Sequence, residues 1–287
     1  MSSMRSAAAA RGESPPDVGE SGVGPLLRHW RGVRSKSQLA LALDANVSAR
    51  HVSFIESGRS KPSRAMILTL AGALDVPLRE RNAMLMAAGF ASLYRESPLD
   101  APALAHVRRA LEFILVQQEP HPAVVMDRHW NILMANEGAR RLFGRFIDLA
   151  SIPQPANVLD LMFDPGGLRP FVANWDEVAV ALLTRVRREA VCGVQDAALK
   201  SLVRRLLAYP DVHVRWNTTR LEATVPLIPV RFATADFSAS YFSTVTTLGT
   251  AQDVTLQEIR IECFFPSDEA TAAAVSTSPS ADTGSTV

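Results

Sequence analysis

The chain has 287 residues, 47% of them hydrophobic, with 30 Lys and Arg against 29 Asp and Glu for a formal net charge of +1. This length supports two modest cores better than one, and no run approaches the roughly 20 unbroken apolar residues of a membrane-spanning helix. Two cysteines far apart, Cys192 and Cys263, exclude a disulfide framework, and the Ala7-Ala8-Ala9-Ala10 run is too short for a signal peptide, so a cytoplasmic protein is expected.

In chain order, residues 1–23 are rich in Ala, Ser, Gly and Pro, cannot bury enough surface to offset their ordering entropy, and are expected to be disordered. Residues 24–95 read as an all-helical domain. Pro25 suits the first turn of a helix running to Trp30 and stopping at Gly32. A second helix opens at Ser37-Gln38, with Leu41, Ala42 and Ala45 at helical spacing. A tight corner follows at Ala45-Asn46-Val47, where Asn46 tolerates a left-handed backbone and Ser48 can cap the next helix. In that third helix Val52 and Ile55 face inward with Val47, leaving Ala49, Arg50 and Ser53 outside. Ser63 caps a fourth helix with Ile67, Leu70 and Leu74 on one face, and Pro77 opens a fifth that ends at Gly89.

Charge is concentrated in this head. Between Gly24 and Arg64, eight basic residues (Arg28, Arg31, Arg34, Lys36, Arg50, Arg59, Lys61, Arg64) stand against Asp44 and Glu56, a local +6 that leaves −5 for the rest of the chain. A basic helix-turn-helix on an acidic body points to double-stranded DNA. Arg50 has the planar fork that reads guanine, and the small Ala49 permits close approach. Ser48, His51 and Ser53 are candidates for nearby edges, and Gln38, Arg59 and Lys61 for phosphates. Leu39 and Leu43 lie one turn apart, off the inward face, and are expected to dock on the second domain or a second subunit. A homodimer on a two-fold operator is the expected assembly.

Residues 100–268 change rhythm. A stripe of Leu104, Val107, Leu111, Ile114 and Leu115 predicts an amphipathic helix, followed by a strand from Ala123 to Met126, a polar turn, and a strand from Trp130 to Ala135 leading into a helix capped by Asn136. This opening resembles PAS-type sensor domains. A helical middle over residues 157–208 precedes predicted strands at 225–232, 240–248 and 255–265. In the last, Ile259, Ile261, Cys263 and Phe265 alternate with Glu258, Arg260 and Glu262, as for a sheet with one face on a core and the other wet or covered by polar partners. The fold class expected is α+β: a helix-turn-helix domain, then a PAS-like domain on an antiparallel sheet. Residues 269–287, mostly Ala, Ser and Thr, are expected to be disordered.

Five strands with helices across one face make a cup suited to an apolar ligand of roughly 300–1,000 Å³. The large or soft residues concentrated here, Trp130, Met134, Phe143, Leu161, Met162, Phe163, Phe171, Trp175, Phe232, Tyr241 and Phe242, are the candidate ligand contacts, with ordinary core packing as their default role. No phosphate-binding glycine signature, Gly-x-Ser-x-Gly elbow or zinc-helix histidine spacing is present, so no catalytic or metal residue is assigned and no enzyme is expected.

The run Ser48-Ala49-Arg50-His51-Val52-Ser53-Phe54-Ile55-Glu56-Ser57-Gly58-Arg59-Ser60-Lys61-Pro62 resembles the lambda-repressor and Cro type helix-turn-helix of the Xre family, in its MmyB-like branch. Asn46 departs from the commoner glycine. Met126-Asp127-Arg128-His129-Trp130-Asn131, Leu161-Met162-Phe163-Asp164-Pro165, Val172-Ala173-Asn174-Trp175 and residues 253–266 resemble that family's ligand-binding domain. The resemblance implies a DNA-binding one-component transcription regulator with no required cofactor, whose second domain holds a long-chain fatty acid or similar lipid, with Arg169, Asn174 or Arg231 as candidates for its carboxylate. The alternatives are a PAS-like domain that only dimerises or binds a protein, and an enzyme with a DNA-binding head.

Overall fold

Among the described residues five helices build the first unit, which ends at Leu93: α1 (Val23–Val33), α2 (Gln38–Asp44), α3 (Ala49–Glu56), α4 (Arg64–Ala73) and α5 (Leu78–Ala87). The computed structural model describes residues 22–192, 196–210, 212 and 227–276. Three serines start three of the helices. The hydroxyls of Ser37, Ser48 and Ser63 accept from the amides of Ala40, His51 and Met66 at 3.0, 3.1 and 3.2 Å, and each such cap contributes about 1 kcal/mol. Asn46 holds the corner at φ 53°, so that Val47 N–H reaches back to Ala42 O at 2.8 Å and closes α2. Helix α1 begins at Val23 and runs one residue past Gly32, because the left-handed residue that ends it is Ser35 at φ 51°. Leu27, Leu41, Val52, Ile55, Ile67, Leu70, Leu74 and Leu85 form the core.

One charge is buried in that core. Glu56 is 3% exposed and is held by three hydrogen bonds: Arg31 donates through Nε at 2.7 Å and Nη2 at 3.0 Å, and Gln38 Nε2 donates at 2.8 Å. Gly24 makes room for this end of α3, since a Cβ there would stand 2.7 Å from Ile55 O.

The second unit begins with α6 (Ala105–Gln117), followed by β1 (Ala123–Met126), β2 (Ile132–Ala135) and α7 (Glu137–Gly144). Next come α8 (Val158–Phe163), α9 (Trp175–Cys192), α10 (Ala197–Ala208), β3 (Val230–Ala233) and β4 (Ser238–Thr247). It closes with α11 (Val254–Glu258), β5 (Arg260–Pro266) and α12 (Glu269–Ser276). The strands form one antiparallel sheet in the order β2-β1-β5-β4-β3, the α+β, PAS-like class that the sequence predicts. Asn136 ties the start of the sheet together. Its Oδ1 accepts from Ala139 and Ala123, capping α7 and holding β1, while Nδ2 donates to His121 O and Leu115 O.

The sheet has two covered faces. On the outer one, Ala123, Val125, Ile261 and Cys263 meet Leu111 and Leu115 of α6, and burial pushes the Cys263 thiol up from its ordinary pKa. On the inner one, Val124, Met126, Phe232 and Tyr241 meet the helices from α7 to α10.

Four expectations change. Trp130 is not in a strand: it sits in the turn at φ 69°, fully buried. Residues 255–258 are helical because Asp253 caps them, its Oδ1 accepting from Thr255 at 2.9 Å. The third strand starts at Val230, and the expected start at 225 lies outside the described residues. The tail expected to be disordered is helical over Glu269–Ser276, where buried Thr271 accepts from Ser240 N–H at 2.9 Å and Asp268 caps the turn. Residues 1–21 and 277–287 of the two expected tails lie outside the described residues.

Removing one partner from a buried ion pair strands the other, so Glu56→Ala is expected to destabilise the head by about 3–5 kcal/mol in urea unfolding. Burial opposes the Glu56 charge, but hydrogen bonds from Arg31 and Gln38 outweigh it and hold the carboxyl below its ordinary pKa. Its stabilisation is therefore complete above the ordinary carboxylate range and lost as pH falls through the lower folded value. Amide-exchange protection factors of head residues should fall below about pH 4, and a Glu56→Gln variant should lack that acid step.

Candidate DNA and ligand sites

The head separates its cations into two groups. Arg28 donates to Glu56 O at 2.9 Å and Arg31 to the Glu56 carboxylate. Arg34 reaches Leu74 O at 2.8 Å, and Lys36 joins Asp44 at 2.7 Å and Ala73 O at 2.8 Å. These charges hold the helices together. Arg50, Arg59, Lys61 and Arg64 are exposed and make no ion pair among the described residues. They lie on α3, in the loop after it and at the start of α4, so the unspent positive charge gathers around the second helix of the helix-turn-helix. The Arg50 guanidinium rests 5.2 Å from the Phe54 ring centroid, one turn on, while Ser48 is exposed and Ala49, His51 and Ser53 are half-buried beside it. Gln38, expected at a phosphate, is half-buried with its amide committed to Glu56.

In the second unit an apolar cavity of about 180 Å³ lies between the inner face of the sheet and helices α8 and α9. Five of the expected contacts line it: Trp130, Phe143, Leu161, Met162 and Phe232. The others sit elsewhere for identifiable reasons. Phe163 and Trp175 pack on each other, 4.9 Å between centroids, and Phe171 packs on Phe146. Tyr241 borders a separate cavity of about 380 Å³ between α7 and α12. Met134 and Phe242 are on the outer face, Phe242 stacked on Phe265 at 5.5 Å. The cavity is smaller than the expected volume of roughly 300–1,000 Å³. Val178, Leu182 and Arg185, at helical spacing on α9, and Ser243, Glu262 and Phe264 complete the wall. Sequence reasoning missed these, although the β5 alternation already separated Glu262 from Ile261 and Cys263.

The polar end of the cavity is built on Trp130. Asp127 Oδ1 accepts from the amides of His129 at 2.8 Å and Asn131 at 2.9 Å, reversing the chain so that Trp130 turns inward. A non-glycine residue at positive φ costs of order 1–3 kcal/mol, and the surroundings secure it: Trp130 Nε1 donates to Glu189 at 3.0 Å, and its carbonyl accepts from Val158 at 2.9 Å. Arg260 donates to the other Glu189 oxygen at 2.8 Å. The Arg185 guanidinium lies over the Trp130 ring, 4.4 Å from its centroid, with Glu189 at 3.6 Å and Glu262 at 3.8 Å. Among the described residues it makes no hydrogen bond. Glu262 accepts from Ser243 Oγ at 2.6 Å.

The three residues considered for a ligand carboxylate do not reach this cavity. Arg169 donates to Pro210 O at 3.0 Å and lies over Trp175, Asn174 joins Pro229 O to Arg231 N, and the Arg231 side chain is exposed. Arg185 is the cation on the wall. Among the described residues no group of three or more His, Cys, Asp and Glu side chains could hold a metal ion, and no helix is long and apolar enough to cross a membrane.

A helix-turn-helix head with its free cations around one helix, joined to a PAS-like domain with an apolar cavity, defines a DNA-binding transcription regulator with a ligand-binding domain. The chain belongs to the MmyB-like transcription regulator ligand binding domain family, whose model matches residues 107–277. A helix-turn-helix family model matches residues 27–81. Among solved structures, the chain is similar to the PAS domain from Bordetella pertussis BvgS at 13% identity and a TM-score of 0.27, over 58% of this chain and 93% of that one. It is also similar to an RNA-binding light-oxygen-voltage receptor at 11% identity and a TM-score of 0.26, over 90% of this chain and 62% of that one. No curated protein sequence matches the chain.

The arrangement of cations separates two kinds of variant. Arg50→Ala is expected to cost about 1–3 kcal/mol of DNA binding and flatten preference at one base pair. Lys61→Ala should weaken all sequences alike and lower the salt slope by about one. Binding titrations over a set of single-base operator variants at several salt concentrations distinguish the two.

Proposed function

We propose that the protein is a one-component sensor in which an acyl chain, from a fatty acid, occupies the inner cavity with its carboxylate on Arg185. The observation that carries this reading is a cation on the wall of an apolar cavity with its N–H donors in no hydrogen bond among the described residues, 3.6 and 3.8 Å from the nearest carboxylates. A guanidinium in that state is a ready partner for a carboxylate. The apolar rings accept the chain, and the volume of about 180 Å³ suits a short chain or one end of a longer chain.

The DNA-bound form is proposed to be a homodimer on a pseudo-palindromic operator, because one small head makes few base contacts and two-fold pairing doubles them. In that reading Arg50 reads a base, Ser48, Ala49, His51 and Ser53 shape the approach, and Arg59 and Lys61 hold phosphates. Leu39 and Leu43, 61% and 73% exposed on α2, offer an apolar pair for the second subunit.

Mass spectrometry of organic extracts should find a stoichiometric fatty acid on the purified protein and little on an Ala181→Phe variant, whose ring enters the cavity. A folded wild-type protein that yields none, and whose DNA affinity ignores added fatty acids of every chain length, removes the sensor reading. In sedimentation equilibrium, Leu39→Gln with Leu43→Gln should shift the protein toward monomer. Unchanged mass and unchanged operator binding would remove the pairing role of these leucines.

A further inference from the structure

Glu262 is the group on the cavity wall that a plain acyl chain leaves unanswered. Its side chain is 8% exposed, and one oxygen accepts from Ser243 at 2.6 Å. Among the described residues the other oxygen meets only Arg185, at 3.8 Å, which is beyond hydrogen-bond range. Arg185 in turn has donors and no acceptor within that range. A nearly buried acceptor on β5 and a cationic donor on α9, the latter side chain 30% exposed, therefore face the same small volume, each with hydrogen-bonding capacity unspent among the described residues.

A simple carboxylate answers half of this. It pairs with Arg185, but it also sets a second negative group beside Glu262, in a cluster where Arg185 and Arg260 already balance Glu189 and Glu262. A ligand that also brings a donor removes the difficulty. A hydroxyl donates to the free Glu262 oxygen, accepts from Arg185 through its own lone pair, and stands between the two carboxylates.

We propose that the ligand is a hydroxylated fatty acid, its carboxylate on Arg185 and a hydroxyl on its second or third carbon donating to Glu262. This rests on the acyl-chain reading of the cavity and specifies its substrate class. The space of about 180 Å³ is near that of a cavity that takes a benzene-sized guest, so about six carbons of a chain fit within it.

Octanoate and 3-hydroxyoctanoate, titrated calorimetrically into the full-length protein, test the idea. The wild type should bind the hydroxylated acid at least about tenfold more tightly, as sites built to hydrogen-bond a hydroxyl discriminate strongly against its absence. In Glu262→Leu, octanoate should tighten because the neighbouring negative charge is gone, and the advantage of the hydroxyl should fall below about twofold. If that variant does not fold, the wild-type titrations decide alone. Equal or tighter binding of octanoate by the wild type overturns the hydroxylated ligand and leaves the acyl-chain reading standing. Failure to bind either acid, or dodecanoate, removes both.

Discussion

The inner face of the PAS-like domain depends on placing four opposite charges around one tryptophan. Arg185 and Glu189 come from α9, Arg260 and Glu262 from β5, and Trp130 from the turn between β1 and β2. Isolated, any of these charges would be costly inside an apolar domain. The ion pairs and the Trp130 hydrogen bond offset that cost only while all three elements stay in register. The cluster thus does what apolar contacts do poorly: it fixes the rotation of α9 and the alternation of β5 relative to each other. It also leaves Arg185 held by its stack on Trp130 and by two long ion pairs and by no hydrogen bond among the described residues.

The head uses the same physics with a different balance. Glu56 is saturated by Arg31 and Gln38, and Arg34 and Lys36 end on backbone carbonyls at the far end of α4. Half of the positive charge counted in the sequence is consumed in joining helices, so a count of charge overstates what DNA meets. What remains sits around α3, where it matters most for electrostatic attraction to phosphate.

Local signals were legible and register was not. Asn46, Ser48, Ser63 and Asn136 mark their turns and caps from residue chemistry alone, and each stands where that chemistry requires. Whether a sheet residue faces the cup or the outer helix depends on strand register and on a single irregular turn. Trp130 reads as the first residue of a strand, but the Asp127 turn reverses the chain around it. Met134 and Phe242 are as large and soft as Phe143 and Phe232, yet point the other way. The polar side of β5 was visible as Glu258, Arg260 and Glu262, but only packing shows that it is enclosed. Short apolar and β-branched runs mislead in the same manner: Val254 to Leu256 continues the strand pattern until the carboxylate of Asp253 captures the backbone for a helical turn.

The position of the charge cluster also decides what a bound molecule can influence. The turn that carries Trp130 carries Arg128 and His129 as well, and these join Asp196 at the cap of α10 and Glu258 at the end of α11. Burial opposes the Asp196 charge, while the Leu199 amide, Arg128 and His129 hold its carboxyl below the ordinary pKa. A polar group entering beside Arg185 therefore meets α9 and β5 directly and, through one short turn, α10 and α11. Occupancy can shift an equilibrium only by its differential affinity for two arrangements. The long contacts beside the cavity run from Arg185 to Glu189 at 3.6 Å and to Glu262 at 3.8 Å. Both exceed hydrogen-bond range, and they lie between α9, β5 and the turn that carries Trp130.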